Sequence, residues 1–145
     1  MTTILTRKVA RLLLLPTFIV AAAVLVKGYT DTGDGFSAGV IAVTGVLLQY
    51  VGLGYDDAER LLPVRLAPVA GFAGLLVVLA VAFLPVALGQ PILTHAPAHG
   101  AEVVNLGTLE LHTAVLFDLG VFMLVFGFGI GTFRLIAGLA GEDRR

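Results

Sequence analysis

The 145-residue chain contains no cysteine. Disulfides, thiolate metal sites and cysteine nucleophiles are therefore excluded. Charge is also scarce. Asp, Glu, Lys and Arg make up 13% of the residues, against about 25% in a typical soluble domain. A soluble surface of this size would need more polar side chains, so the composition describes an integral membrane protein. Apolar residues reach 58%, and mean hydropathy is +1.00. The net charge of −1 gives no sign of nucleic-acid binding. The chain has no phosphate loop, dinucleotide fingerprint or nucleophile–base arrangement. No cofactor is expected, and nothing demands catalysis by this chain alone. There is no internal repeat, low-complexity tract or second domain, so residues 1–145 are read as one transmembrane domain.

Four long apolar runs fill most of the chain, at about 9–26, 36–54, 66–88 and 111–133. A spanning helix needs about 20 mostly apolar residues, and each run qualifies with at most one charge inside it. Strand alternation is absent, which argues against a β-barrel. Backbone groups in lipid must bond within their own segment, so the runs are read as helices. The fold class is all-α, with four transmembrane helices. The first run is too long for a signal-peptide core and reads as a retained anchor. Eight of the nine basic residues fall at the N-terminus, in the second-to-third connection or at the C-terminus. Lys27 is the exception. The excess of basic residues on cytoplasmic loops then predicts a multi-pass protein of the cell (plasma) membrane with both termini in the cytoplasm. Pro16 and Pro85 are expected to kink their helices, and Pro68 to sit near a helix start. Close Gly pairs, Gly35 with Gly39 and Gly127 with Gly129 and Gly131, predict close helix packing.

Between the first two runs lies Lys27–Phe36, "KGYTDTGDGF". Its "DTG" is not a protease site, because that chemistry needs paired carboxylates on a rigid scaffold. It is not a calcium loop either, since the alternate ligands and the closing Glu are missing. Gly33 and Gly35 are expected to supply the positive φ of a tight reversal. Asp34 is expected to cap the second helix through its side chain. Asp31 and Asp34 add outer negative charge beside Lys27. Asp118, in "LFDLG", lies about seven residues inside the fourth run. An acid at that depth costs about 2.5–3.5 kcal/mol, so it needs a polar partner, a water cavity or a role in moving protons. Lys27 is the only basic candidate on that side. A structural pairing of Asp118 with a polar group on a neighbouring helix or subunit is the simpler reading, and Asp118 and Lys27 are the candidate ion-path residues. His95 and His99 are four apart, but Pro97 between them argues against a helical metal pair, and no metal site is expected. Asp56, Asp57, Glu59 and Arg60 read as a solvated loop.

Two segments carry a family resemblance. "KGYTDTGDGFSAGVIA" is similar to the signature of the MnhB subunit of Mrp-type multisubunit sodium/proton antiporters, roughly R-G-H-N-x-P-G-G-G-F-x-x-G-L. Gly28, Gly33, Gly35, Phe36 and Gly39 match it. "LELHTAVLFDLGVFMLVFG" resembles the family's closing segment. Tyr29, Thr30, Thr32 and Asp34 depart from the loop pattern. The resemblance covers essentially the whole chain. It implies a small accessory subunit, in the lipid bilayer, of a complex that exchanges Na+ for H+, with the other antiporter subunits of that complex for partners. An equivalent subunit of a redox-driven membrane complex, or a purely structural packing subunit, are the alternatives.

Overall fold

The computed structural model describes residues 3–28, 33–89, 91–93, 105–106, 109–110 and 113–142. Helix α1 spans Ile4–Lys27. It opens on Thr3, whose side-chain oxygen accepts from the Thr6 N–H at 3.2 Å. That bond satisfies one of the donors a helix start leaves unpaired. Helix α2 spans Asp34–Leu53 and ends at Gly54. A five-residue helix, α3, follows at Tyr55–Glu59. Helix α4 spans Leu62–Ala87. A two-residue ladder pairs β1 (Asn105–Leu106) with β2 (Leu109–Glu110) in antiparallel register. Helix α5 spans Thr113–Glu142.

The four expected spans are present, and their bounds shift. α1 begins five residues before the apolar run and α5 runs nine beyond it. Apolarity marks where lipid would be, whereas helix continues through Arg7, Lys8 and Arg134, which are sound helix formers. Pro68 is not near a helix start. α4 opens at Leu62, Pro63 takes the first-turn position, and Pro68 lies inside.

The long helices form a row rather than a closed bundle. α1 packs on α2, α2 on α5, and α5 on α4. The buried core follows this order, with Ala21 of α1, Val43 and Val46 of α2, Phe126 and Ile130 of α5, and Val64 of α4. Phe126 anchors it, edge-on to Phe18 and stacked with Phe122, at ring separations of 6.0 and 6.2 Å.

Small residues set the spacing of this row. A Cβ on Gly127 would overlap the Gly71 backbone, so α4 and α5 touch main chain to main chain. Gly129 faces Val43 across the α2–α5 seam, and Gly45 faces Thr17 across the α1–α2 seam. Gly131 faces open space. In lipid, where apolar burial drives little, close contact of this kind holds helices together.

Candidate functional site

The polar residues of the described chain gather at the two ends of the row. At one end, the C-terminus of α1, the N-terminus of α2 and the N-terminal part of α5 converge. Asp118 is 6% exposed, and its Oδ2 accepts a hydrogen bond from the Gly33 N–H at 2.8 Å. Gly33 is the residue at which α2 begins, with φ at +120°. Only glycine takes that conformation readily. The buried carboxylate thus sits at the positive end of the α2 dipole and satisfies an N–H there.

Glycines bring the groups this close. A Cβ on Gly35 would overlap the Asp118 backbone, so α2 and α5 touch at this point. A Cβ on Gly28 would lie 3.1 Å from the Asp34 Cβ and 3.3 Å from Asp118 Oδ2. Gly39 continues the same contact one turn deeper, against Val125 and the Phe122 carbonyl. Lys27 Nζ stands 3.5 Å from Asp34 Oδ2. Gly28, Gly33 and Gly35 therefore meet Asp118, with Asp34 beside Gly28 and Gly39 one turn deeper against α5. Phe36 turns away and is 59% exposed. Asp31 lies outside the described residues, as do Tyr29, Thr30, Thr32, His95 and His99.

Two expectations for this cluster need correction. Asp34 does not cap α2 with its side chain. Gly33 holds the cap position without a side-chain bond, Asp34 is the first helical residue, and its carboxylate faces Lys27 instead. The oxygen that reaches the helix start comes from Asp118. Gly35 does not supply a positive φ. It is helical, and the lack of a side chain serves close packing on α5.

The opposite end of the row carries a network that the sequence did not reveal. Glu59 of α3 accepts from the Tyr50 hydroxyl at 2.7 Å and pairs with Arg134 Nε at 2.9 Å. Arg7 donates to the Leu53 carbonyl at 3.2 Å and lies 3.6 Å from Asp57. Asp57 and Glu59 thus lie on a short helix rather than in a loop, each in an ion pair, with Glu59 the more buried of the two. Two apart on a helix, they point to different neighbours, so one reaches α1 and the other α5. Asp56 and Arg60 are exposed, as expected. Gln49 is fully buried between α1 and α2 and donates to the Ala10 carbonyl at 2.7 Å. A lone Gln in an apolar run was the signal for that contact.

Between the two polar ends, the α2–α5 seam is apolar through Val43, Val46, Phe126 and Ile130. Among the described residues no three His, Cys, Asp or Glu side chains group to hold a metal ion. The geometry offers a hydrogen-bonded carboxylate and an ion pair at one end of the helices, and a set of ion pairs at the other.

A family model described as a domain related to the MnhB subunit of Na+/H+ antiporters matches residues 5–131. The chain belongs to this MnhB family. Helices α2, α3 and α4, all of α1 but its first residue and most of α5 fall inside the match, as does the Asp118 cluster, while Arg134 lies just beyond it. Named relatives agree. The chain is 36% identical over 101 residues to the Na(+)/H(+) antiporter B subunit of Bacillus subtilis, covering 70% of this chain and 69% of that one. It is 30% identical over 124 residues to the Na(+)/H(+) antiporter B subunit of Alkalihalophilus pseudofirmus, covering 83% and 85%. It is also 34% identical over 132 residues to the A/B subunit of a probable K(+)/H(+) antiporter of Rhizobium meliloti. That match spans 89% of this MnhB-family chain and 12% of the Rhizobium protein. With four helices long and apolar enough to cross a membrane, the chain is a multi-pass membrane protein.

Proposed function

We propose that this chain acts, as one domain, as a small accessory subunit of a multisubunit cation/proton antiporter in the cell membrane. The observation that carries the reading is the family match across residues 5–131, joined to relatives named as antiporter B subunits. Two of the relatives are named for Na+ and a third for K+, and Na+ is the cation proposed for this chain. The structure supports an accessory role. One buried acid in four spans, already bonded to a backbone N–H, is too little for a proton relay through this chain alone. The chain then contributes assembly and the outer mouth of an ion route shared with its partners in the complex, with Asp118 and Lys27 as the residues beside that route. It carries out no chemical reaction of its own.

Both termini face the cytoplasm in this reading. Arg7, Lys8, Arg11, Arg60, Arg65 and Arg134 are grouped at the end of the row held by Glu59 and Asp57, and Lys27 stands at the other. Such an asymmetry supports placing that end on the cytoplasmic side.

Tagging the chain in its native membrane and purifying what comes with it tests the assignment. The expected result is recovery of the other antiporter subunits, with cation/proton exchange in vesicles only when they are present. Robust exchange by the chain alone would overturn the accessory role. Recovery of iron–sulfur or hydrogenase subunits would move the chain to a redox-driven complex.

A further inference from the structure

α1 is an edge helix of the row, and only one of its faces is covered. The covered face carries Ala10 and Ala21, both buried, with Thr17 against Gly45. The opposite face carries Leu12, Leu15 and Ile19, which are 74%, 69% and 60% exposed. Lys8 and Arg11 stand at the N-terminal end of that face, and both are exposed. Three residues apart, they are neighbours on the helix surface. Their neighbour Arg7 is committed to the fold through Leu53 and Asp57. Lys8 and Arg11 have no acidic partner among the described residues. The fold uses one of three adjacent cations and leaves two turned outward, above an apolar stripe.

We propose that Lys8 and Arg11, with Leu12, Leu15 and Ile19, form a binding site for one anionic phospholipid. The headgroup phosphate lies between the two cations, and an acyl chain runs along the stripe. Three features favour a lipid over a neighbouring helix. The cations sit at the end of α1 that lies beside the polar Asp57–Glu59 turn, where a headgroup would be. Long basic side chains at that level reach out to phosphate while their stems cover apolar surface. From Arg11 to Ile19 the helix rises about 12 Å, within the roughly 15 Å of one leaflet's hydrocarbon. Finally, helix contacts in membranes use small residues. Those of this part of α1, Ala10 and Thr17, already face α2, whereas the open stripe beside the cations is Leu, Leu and Ile. The proposal needs only a membrane-spanning α1, so it stands apart from the antiporter reading.

Native mass spectrometry of the complex purified with its membrane lipids tests it, with phosphatidylglycerol and phosphatidylcholine in competition. The unaltered complex should retain one phosphatidylglycerol in preference to phosphatidylcholine. Lys8→Gln with Arg11→Gln should weaken retention about twenty-five-fold, at roughly fivefold per cation. Lys8→Arg with Arg11→Lys should restore it, and Arg7→Gln should leave it intact. Equal retention of the two lipids, or unchanged retention in the double Gln variant, would overturn the site. A photoreactive diazirine side chain at Leu15, in a complex with both cations intact, gives a readout that does not depend on the variants assembling. A phospholipid adduct supports the proposal. An adduct with a neighbouring protein assigns the face to that partner and overturns it.

Discussion

Asp118 is a charged side chain in a helix apolar enough to cross a membrane, and the start of α2 gives it a donor. Its Oδ2 accepts from the Gly33 N–H at 2.8 Å, so the acid and the start of α2 satisfy each other. Asp118→Asn keeps an acceptor oxygen in place. Asp118→Ala removes the acceptor from the Gly33 N–H, and because Gly33 is exposed the loss is that of one hydrogen bond, about 0.5–1.5 kcal/mol. Thermal unfolding of the assembled complex should therefore fall further for the Ala variant than for the Asn variant. Equal losses would show that the bond contributes little. The need for a partner was legible in the sequence, because a single acid inside an apolar run stands out. The partner was not. It is a backbone group 85 residues away, and no side chain advertises it. Asp34 failed as a cap for the related reason that a glycine with φ of +120° already holds that position. Local propensity placed an acid near a helix start correctly and gave it the wrong neighbour.

Between helices, the glycines divide into those that touch another backbone and those that do not. Gly35→Ala would drive a methyl group into the Asp118 main chain, and Gly127→Ala into that of Gly71. Overpacking of this kind costs about 1–3 kcal/mol, and here no flexible side chain can yield. Gly131 meets nothing within 4 Å, so Gly131→Ala should be neutral or slightly stabilising through helix propensity. Melting temperature and retention of the chain in the detergent-purified complex should rank Gly131→Ala above both others. Close packing was expected from the Gly spacing alone, and the particular contacts were not. The number of spanning helices was likewise plain from four apolar runs. α3 was not, since five residues with three acids look like any polar turn. Its meaning lies in Arg7 and Arg134, which reach it from distant parts of the chain.

For the molecule as a whole, the order α1–α2–α5–α4 is the feature that the sequence concealed. Helices that are apolar on most sides carry no stripe to say which neighbour each face meets. The order has a consequence for covalent continuity. α1 with α2, and α4 with α5, are two hairpins that each pack internally and meet along α2 and α5. α3, which lies in the connection between them, stays with the first hairpin if the chain is cut after Arg60, and it keeps Asp57 and Glu59 beside Arg7 and Arg134. Residues 1–60 and 61–145, made as separate polypeptides, should find one another in the membrane and purify as a pair. Gly35→Ala, which spoils the shared contact, should separate them while leaving each hairpin inserted. If the pair fails to form with Gly35 intact, the chain joining the halves contributes more than proximity. If it forms, this small protein can be handled as a two-piece assembly, with a tag or a label placed at a break that the fold does not notice.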